Sequence, residues 1–490
     1  MIKIDKESKL LNLFIPLLLF LVAFCWKLFF INQRDLCLDE PFSVFNAQKS
    51  LAEIMKIPAQ GEPNPPLFMI LLHFWMKLVG LETGAIRILP LIFNAVTVVF
   101  LYLAGKRFFS LWTGLVASGL FLFSTYHFYH GIEARTYSFF SMATAASLYF
   151  YFLYAGNTKN YKALTGLILS NILLVYSHYF GWFVIFSQFL TSIFYIRSFR
   201  SFFRLMIPFL GTAAGFIPMV PVIIRQFNKS TRIGTWLNPP NGTDFLEQIQ
   251  YFLNHKEVYW LVLYIFSAGA VFTLIMVALK KWKGLNIGVP VLLIWWFVPY
   301  CIMFLISSKI PMFNSKYILF NTIGMYLFIG AMINFLFQKH KYIEPLVGLV
   351  LIVYMYLHLK ILPDYFAYRE VRNSVEFVKS HENDKSIVLI YPVWADFAFT
   401  YYYDRSIFQN HQNFQETMVR KDLYRVWGLS NVQTVIRANP KRRVIYYQDG
   451  KNYNEGEDVF GYLDTAFVRV DLQVFPQTFK VGVYDPKPME

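Results

Sequence analysis

The chain has 490 residues, of which 56% are hydrophobic and only 15% are charged. Soluble globular proteins carry about a quarter charged residues, so the composition excludes an ordinary soluble fold of this length. The net charge of +15 comes from short basic clusters between apolar segments, which fits the positive-inside rule and disfavours a nucleic-acid-binding protein. We therefore predict a polytopic integral membrane protein.

The first apolar run extends from Leu10 to Ile31. Its length matches the roughly 20 residues that a transmembrane helix needs. It lacks a small-residue cleavage site and further apolar runs follow it, so we predict a retained helix rather than a cleaved signal peptide.

Basic clusters set the predicted topology. Cytoplasmic loops are enriched in Lys and Arg, so we place every cluster on the cytoplasmic side, which requires an external turn between each neighbouring pair. The clusters are Lys3/Lys6/Lys9, Lys106-Arg107, Lys159/Lys162, Arg197/Arg200/Arg204, Lys280/Lys281/Lys283 and Lys339/Lys341.

Only two of the three apolar stretches between the first two clusters can cross the membrane on this topology. The stretch 66–80 is too short and contains His73 and Lys77, so we predict that it lies in the membrane interface. Residues 32–86 then form one long external loop with at least one juxtamembrane helix.

The remaining apolar runs alternate across the membrane, with the N-terminus inside, the C-terminus outside and a further external loop at 225–257. The sequence predicts about eleven transmembrane helices, at 10–31, 88–105, 112–129, 136–155, 161–177, 180–196, 205–223, 258–279, 286–306, 317–337 and 343–362.

Beyond residue 362 the composition becomes more polar, and short alternating apolar runs replace the long ones. This pattern predicts a soluble α/β domain over 363–490, on the same external side as the 32–86 loop. Its predicted strands are Ser386–Tyr391 and Arg443–Tyr447, with a turn at Asp449-Gly450, and its predicted helices are Glu370–Ser380 and Gln415–Trp427.

The predicted topology brings five polar motifs to the external face. Ionisable groups beside apolar helices are costly and usually functional. The motifs are Asp39-Glu40, Asn64-Pro65-Pro66-Leu67, Glu133-Ala134-Arg135-Thr136-Tyr137, Ser177-His178-Tyr179-Phe180-Gly181 and the segment from Lys309 to Tyr317.

Each motif also has a structural explanation. The acidic pair suits a helix N-terminus, and the proline pair suits the first turn of a helix. The Glu-Ala-Arg motif could form an ion pair at a helix end, the histidine could be a polar turn residue, and Lys316 could extend to the lipid headgroups. The five motifs together on one face favour a functional site.

Group transfer is the chemistry that these side chains suit. A carboxylate can take the proton of an acceptor hydroxyl, and Arg or Lys can bind a phosphate and stabilise it as it leaves. Glycoside hydrolysis instead needs two carboxylates flanking the bond.

The motifs, in this order, resemble those of the bacterial branch of the protein O-mannosyltransferase-like glycosyltransferases. This family has the C-type glycosyltransferase superfold and includes relatives of the aminoarabinose lipid A transferases. The resemblance covers residues 33–240 well, includes Arg87-Ile88-Leu89-Pro90, and thins through 250–340. Two positions depart from the family pattern: Asn64 replaces a His or Lys, and Lys316 replaces an Arg, which keeps the charge but loses the bidentate fork.

The resemblance implies an inverting transferase that uses a polyprenyl-phosphate-linked sugar, with residues 1–362 as the transmembrane glycosyltransferase domain. It implies Asp39 as the general base and Glu40 as a supporting carboxylate. The residues that it assigns to the donor phosphate and sugar are Arg135, Glu133, Lys316, Tyr137 and Tyr317. The residues that it assigns to the acceptor side are His178, Tyr179, Asn64 and Lys309.

The expected reaction takes place at the external face of the inner membrane, in glycosylation of a cell-envelope lipid, glycan or protein. We predict no metal and no other cofactor, because the sequence shows no tight ligand spacing; the three cysteines show none either. Two other functions remain open: a flippase for lipid-linked sugars without transfer chemistry, and a receptor that senses through residues 363–490. The sequence identifies neither the sugar nor the acceptor.

Overall fold

The computed structural model describes residues 6–233, 237–264, 267, 286–337, 340, 342–361, 369–450, 458–475 and 479–488. Its contacts divide the chain into two compact units. The first, here called the helical unit, comprises 1–31, 55–71 and 87–361. The second, here called the sheet unit, comprises 32–54, 72–86 and 362–490.

Helices dominate the first 361 residues. In chain order their bounds are Lys6–Leu28, Glu40–Ala47, Leu51–Ile54, Ile57–Gln60, Leu67–Val79, Thr83–Phe108, Leu111–Leu122, Thr125–Gly131, Tyr137–Gly156, Tyr161–Ser177, Gly181–Ser192, Phe199–Phe216, Val220–Ile233, Gly242–Phe252, Gly288–Ser307, Asn321–Phe337 and Ile343–Leu357. Short 3₁₀ turns at Ile193–Tyr195 and Ile217–Met219 extend two of them.

Three helices among the described residues are long and apolar enough to cross a membrane, namely Thr83–Phe108, Phe199–Gln226 and Gly288–Ser307. Shorter apolar helices coincide with other predicted spans, such as Tyr161–Ser177 and Asn321–Phe337. The structure therefore confirms a mostly helical chain with apolar helices but not the count of eleven spans. Most of the predicted span 258–279 lies outside the described residues.

The stretch that was assigned to the interface forms the helix Leu67–Val79, which has 13 residues. At 1.5 Å per residue it is about 20 Å long, whereas the hydrocarbon core of a bilayer is about 30 Å thick. The helix is too short to cross.

The predicted span 112–129 is wrong as one continuous helix, because it is divided into Leu111–Leu122 and Thr125–Gly131. Ser124 caps the second helix by accepting a hydrogen bond from the backbone N–H of His127, as serine does at helix N-termini. Apolarity alone could not reveal this break.

A buried amide network ties three helices of the helical unit together. Asn171 and Gln188 exchange two side-chain hydrogen bonds of 2.9 Å, and Ser147 bonds to both at 2.6 Å. Side-chain hydrogen bonds of this kind hold helices together in membranes, where hydrophobicity does not drive them together. The network fixes the two helices on either side of the turn at 178–180.

The sheet unit contains a sheet of five strands: β1 Ser386–Tyr391, β2 Leu423–Arg425, β3 Arg443–Asp449, β4 Phe467–Val474 and β5 Phe479–Pro486. Their order in the sheet is β2-β1-β3-β5-β4. Strand β1 is parallel to β2 and β3, whereas β5 is antiparallel to β3 and β4. The helices beyond residue 369 are Val371–His381, Asp396–Tyr403, Arg405–Gln409, Phe414–Arg420, Leu429–Ala438 and Val459–Ala466.

Two predicted strands are confirmed, and β1 is buried along its whole length, as expected for a central parallel strand. The predicted helix Gln415–Trp427 is wrong in its second half. The helix ends at Arg420, Asp422 adopts a left-handed φ of 60°, and β2 follows. Pairing of β2 with β1 outweighs the local helical pattern.

The first part of the 32–86 segment belongs to the sheet unit. Phe45 packs against Phe397, Phe408 and Phe414 with ring centroids 4.4, 5.5 and 4.8 Å away. The Tyr402 hydroxyl accepts a hydrogen bond of 2.6 Å from the backbone N–H of Leu36. The loop that holds the acidic motif is therefore built into the core of the C-terminal sheet domain.

A buried carboxylate makes the stability of the sheet unit depend on pH. The Asp396 side chain is fully buried and lies 2.7 Å from Arg425 Nε, and burial raises the pKa of Asp396 to about 7 against the opposing effect of Arg425. The pKa of Asp396 in the folded chain lies above its unfolded value of about 3.9. The contribution of Asp396 to the free energy of unfolding is therefore fully present below about pH 3.9 and is lost as the pH rises through about 7.

We expect hydrogen exchange of the β1 amides in the full-length chain, corrected for intrinsic rates, to show protection that falls between pH 4 and 7. The fall corresponds to roughly 4 kcal/mol or less. Asp396→Asn should flatten this dependence, and Asp464→Asn, in an exposed pair with Arg469, should not. Equal slopes in wild type and Asp396→Asn would contradict the assignment.

Candidate functional site

The acidic motif lies at the start of the helix Glu40–Ala47 in the sheet unit. Glu40 is buried, with its carboxylate 3.9 Å from Arg34 Nη2. Asp39 is half-buried at the N-cap position but does not cap the helix with its side chain. Leu38 before it has a φ of 57°, a strained conformation for a bulky residue. The two carboxylates are therefore in different environments, and Arg34 is a partner that the sequence motifs did not include.

Arg135 lies in a buried polar cluster in the helical unit. Its Nη2 is 3.1 Å from Glu62 Oε1, and the Asn64 amide donates to the same oxygen at 2.7 Å. Gln226 donates to the backbone carbonyl of Glu62. Arg135, Glu62 and Asn64 are all at least nine-tenths buried, so the charges are paired away from water.

Glu62 is a functional candidate that the motif analysis missed. It is two residues before Asn64, in the sequence Glu62-Pro63-Asn64-Pro65-Pro66. An acidic residue just before the proline motif was the one feature of the sequence that could have indicated Glu62. Its partner Arg135 is far along the chain, so only the fold shows the pairing.

Glu133 is paired with a histidine. Its Oε2 lies 2.6 Å from His130 Nδ1, and both side chains are buried. The His130 ring also makes an edge contact with Tyr137, at 4.9 Å between centroids. Burial, followed by the charge of Glu133, raises the pKa of Tyr251 to about 12. The resemblance gives Glu133 the role of orienting Arg135 or contacting the sugar, and that role stays a prediction; the structure shows its pairing with His130.

His178 is buried in the turn between two helices, stacked on Phe140 at 5.0 Å. Its Nδ1 accepts a hydrogen bond of 3.2 Å from the backbone N–H of Phe180, which places the proton of the neutral ring on Nε2. Burial, followed by the positive charge of Arg135, lowers the pKa of His178 to about 3. At neutral pH the ring is therefore uncharged, with Nε2–H able to donate a hydrogen bond.

The segment near 316 also reaches this region. Tyr317 lies 5.7 Å from the His178 ring, and Lys316 Nζ lies 6.0 Å from the centroid of the Tyr317 ring. Lys309 is exposed. The helical unit thus brings Lys316 and Tyr317 toward the histidine turn, whereas Lys309 is not part of this buried group.

Three buried polar atoms around the Arg135–Glu62 pair have no hydrogen-bond partner among the described residues: Asn64 Oδ1, His178 Nε2 and the Tyr179 hydroxyl. Two of these side chains lie near the same carboxylate. Asn64 bonds to Glu62, and burial, followed by the negative charge of Glu62, raises the pKa of Tyr179. A buried polar group without a partner costs about 1–3 kcal/mol. This arrangement suits a polar ligand or water.

The predicted site residues are thus divided between the two units. The helical unit brings together Asn64, Glu133, Arg135, Tyr137, His178, Tyr179, Lys316 and Tyr317, and the sheet unit contains Asp39 and Glu40. Arg87, from the Arg-x-x-Pro motif, is fully buried and donates to the carbonyl of Ile31 at 2.9 Å, which gives it a structural role at the end of the first helix.

Residues 63–224 match the sequence model of the dolichyl-phosphate-mannose-protein mannosyltransferase family. That range contains three of the five polar motifs, from Asn64 to the turn at His178, and also the segment Arg87-Ile88-Leu89-Pro90. No curated protein sequence matches the chain.

The fold is similar to that of ArnT from Cupriavidus metallidurans in the apo state, with a TM-score of 0.61 at 10% identity over 99% of this chain and 100% of that one. The structure of the same protein bound to undecaprenyl phosphate matches with a TM-score of 0.59, also at 10% identity and with the same coverage. The apo oligosaccharyltransferase of Archaeoglobus fulgidus matches at 0.53 and 10% identity, over 88% of this chain and 69% of that one.

Residues 63–224 are thus similar to the mannosyltransferase family model, and the fold of the chain is similar to that of these two membrane proteins.

Proposed function

We propose that the chain is a glycosyltransferase, and that it inverts the anomeric centre of a polyprenyl-phosphate-linked sugar as it transfers the sugar to an acceptor hydroxyl at the external face of the membrane. The observation that carries the proposal is the buried Arg135–Glu62 pair, around which three polar atoms find no hydrogen-bond partner among the described residues. Burying a cation and leaving several polar groups unsatisfied is costly, and a phosphate-linked sugar would supply the missing contacts.

The donor phosphate is assigned to Arg135 and Lys316. A guanidinium can bind two phosphate oxygens, and an ammonium adds a second positive charge. The bound undecaprenyl phosphate of the structurally similar ArnT supports a lipid phosphate as the ligand. Asn64, His178 and Tyr179 each have an atom without a hydrogen-bond partner in the described part of the chain, and we assign them to the hydroxyl groups of the sugar or the acceptor.

The transfer itself needs one base. The acceptor oxygen forms a bond to the anomeric carbon, its proton passes to the Asp39 carboxylate, and the bond from that carbon to the phosphate oxygen breaks. The polyprenyl phosphate leaves with the electron pair and needs charge neutralisation rather than a proton. A single displacement of this kind inverts the configuration. Asp39 is assigned from the motif order, and Glu40, paired with Arg34, is its supporting carboxylate.

The domain organisation is part of the same proposal. Residues 1–362 form the transmembrane transferase domain, and 363–490 form an external domain that shapes the acceptor site or binds a partner. The N-terminus lies in the cytoplasm, and the membrane is the inner membrane of the cell envelope. The family match favours transfer chemistry over a flippase, and the sugar and acceptor stay open.

Arg135→Lys should keep the charge next to Glu62 but lose the bidentate fork. We expect kcat/KM for a polyprenyl-phosphate sugar to fall by about 10²-fold, measured on purified protein with a hydroxyl acceptor in detergent. Arg107→Lys, at an exposed arginine, is the matched control and should leave the rate unchanged. Wild-type activity in Arg135→Lys would contradict the phosphate assignment.

Asp39→Asn should remove the base and leave donor binding intact. Transfer should fall by about 10²- to 10⁴-fold, while the affinity for the donor, measured by equilibrium binding, stays within a few-fold of wild type. Glu53→Gln, an exposed acid in the same unit, should behave as wild type. Unchanged transfer by a correctly folded Asp39→Asn protein would show that another group is the base.

A further inference from the structure

A second cluster of polar side chains lies in the helical unit, outside the candidate site. It is formed by His255 and Glu257, just after the helix Gly242–Phe252, and by His358, at the end of the helix Ile343–Leu357. One ligand atom from each residue lies within 4.8 Å of the other two. The two imidazole rings are 4.2 Å apart and inclined by 31°.

The neighbouring residue Asn254 fixes this loop against two helices. Asn254 has a φ of 64°, in the left-handed region that asparagine tolerates better than most residues. Its amide nitrogen donates to the carbonyls of Phe123 at 2.7 Å and Met355 at 2.9 Å. Its amide oxygen accepts from the backbone N–H of Thr125 at 2.8 Å. Three hydrogen bonds therefore hold His255 next to the helix end that carries His358.

Neighbouring groups also orient the ligand atoms. His358 Nδ1 lies 2.9 Å from the carbonyl of Tyr354, a contact that places the ring proton on Nδ1 and leaves the Nε2 lone pair available. The Tyr354 hydroxyl donates to Glu257 Oε2 at 2.7 Å. Outer hydrogen bonds of this type orient histidine and carboxylate ligands in metal sites. One tyrosine thus positions two of the three side chains.

His255 needs the smallest rearrangement of its own contacts. Its Nδ1 accepts a long hydrogen bond of 3.3 Å from the backbone N–H of Glu257. Either this nitrogen or Nε2 can become a ligand when that weak contact is exchanged. Glu257 is exposed, so its carboxylate can move toward the imidazoles without disturbing the core.

The geometry points to a binding site for a divalent transition metal, of which Zn²⁺ is the representative, formed by His255, Glu257 and His358. Two imidazoles and one carboxylate are a typical ligand set for zinc, whereas Mg²⁺ and Ca²⁺ prefer oxygen ligands throughout. At metal–ligand distances of about 2.0–2.2 Å, neighbouring ligand atoms in a tetrahedral site are about 3.3 Å apart. Side chains already within 4.8 Å reach this spacing by small movements, and water can take the fourth position.

The metal would act as a cross-link between the loop after residue 252 and the end of the helix Ile343–Leu357. Sequence spacing could not reveal it, because only two of the three ligands are close together in the chain. The site does not depend on the proposed transfer reaction, since none of its residues has a role in that reaction.

The test uses the full-length chain in detergent, free of any affinity tag and stripped with a chelator, titrated with Zn²⁺ by calorimetry. We expect one equivalent to bind and to raise the unfolding temperature. The double variant His255→Ala/His358→Ala should bind at least about 100-fold more weakly, and Tyr354→Phe about 10-fold more weakly. His340→Ala, at an exposed histidine in the same unit, should bind as wild type.

The wild-type titration keeps the proposal testable even if the double variant fails to fold. Absence of stoichiometric Zn²⁺ binding to the folded wild-type chain would overturn it. Equal binding by wild type and a folded double variant would also overturn it, because the metal would then lie elsewhere. Transfer activity is not part of the measurement, so a wrong assignment of Asp39 or Arg135 leaves this result unaffected.

Discussion

The buried ion pair between Arg135 and Glu62 is the interaction on which the candidate site depends. Taking two charges out of water costs several kcal/mol per ion, and their attraction offsets this only when further polar contacts surround them. Asn64 and Gln226 provide such contacts to Glu62, and the amide network of Ser147, Asn171 and Gln188 fixes the helices around the nearby turn. The nearby polar atoms that lack a hydrogen-bond partner within the described ranges are then held in fixed positions, ready to bind a ligand.

The acidic motif is organised by a different part of the chain. The aromatic contacts of Phe45 and the hydrogen bond from Leu36 to Tyr402 make the segment that contains Asp39 part of the sheet unit. A change in the sheet of that unit therefore acts on the conformation of this segment. Under the proposed assignment of Asp39 as the base, the sheet unit influences catalysis through these contacts.

Much of this organisation could be predicted from the sequence, and the failures have physical causes. Apolar runs predicted the membrane fold, and motif order identified Arg135 as a candidate site residue. Ionisable residues beside apolar helices stand out in a sequence because they are costly to place in a membrane. Glu62 and His130 were not predicted as site residues, because their pairing with Arg135 and Glu133 is visible only in the folded structure. The strand β2 was mistaken for helix because its apolar residues are few and its conformation comes from pairing with β1. The roles assigned to individual site residues stay predictions.

A structure of the protein with a polyprenyl phosphate bound is the most direct test of the central claim. We expect the phosphate to lie within ion-pair distance of the Arg135 guanidinium, with its oxygens accepting a hydrogen bond from His178 Nε2–H or the Tyr179 hydroxyl. A phosphate bound away from Arg135, with the Arg135–Glu62 pair still enclosed by protein alone, would contradict it.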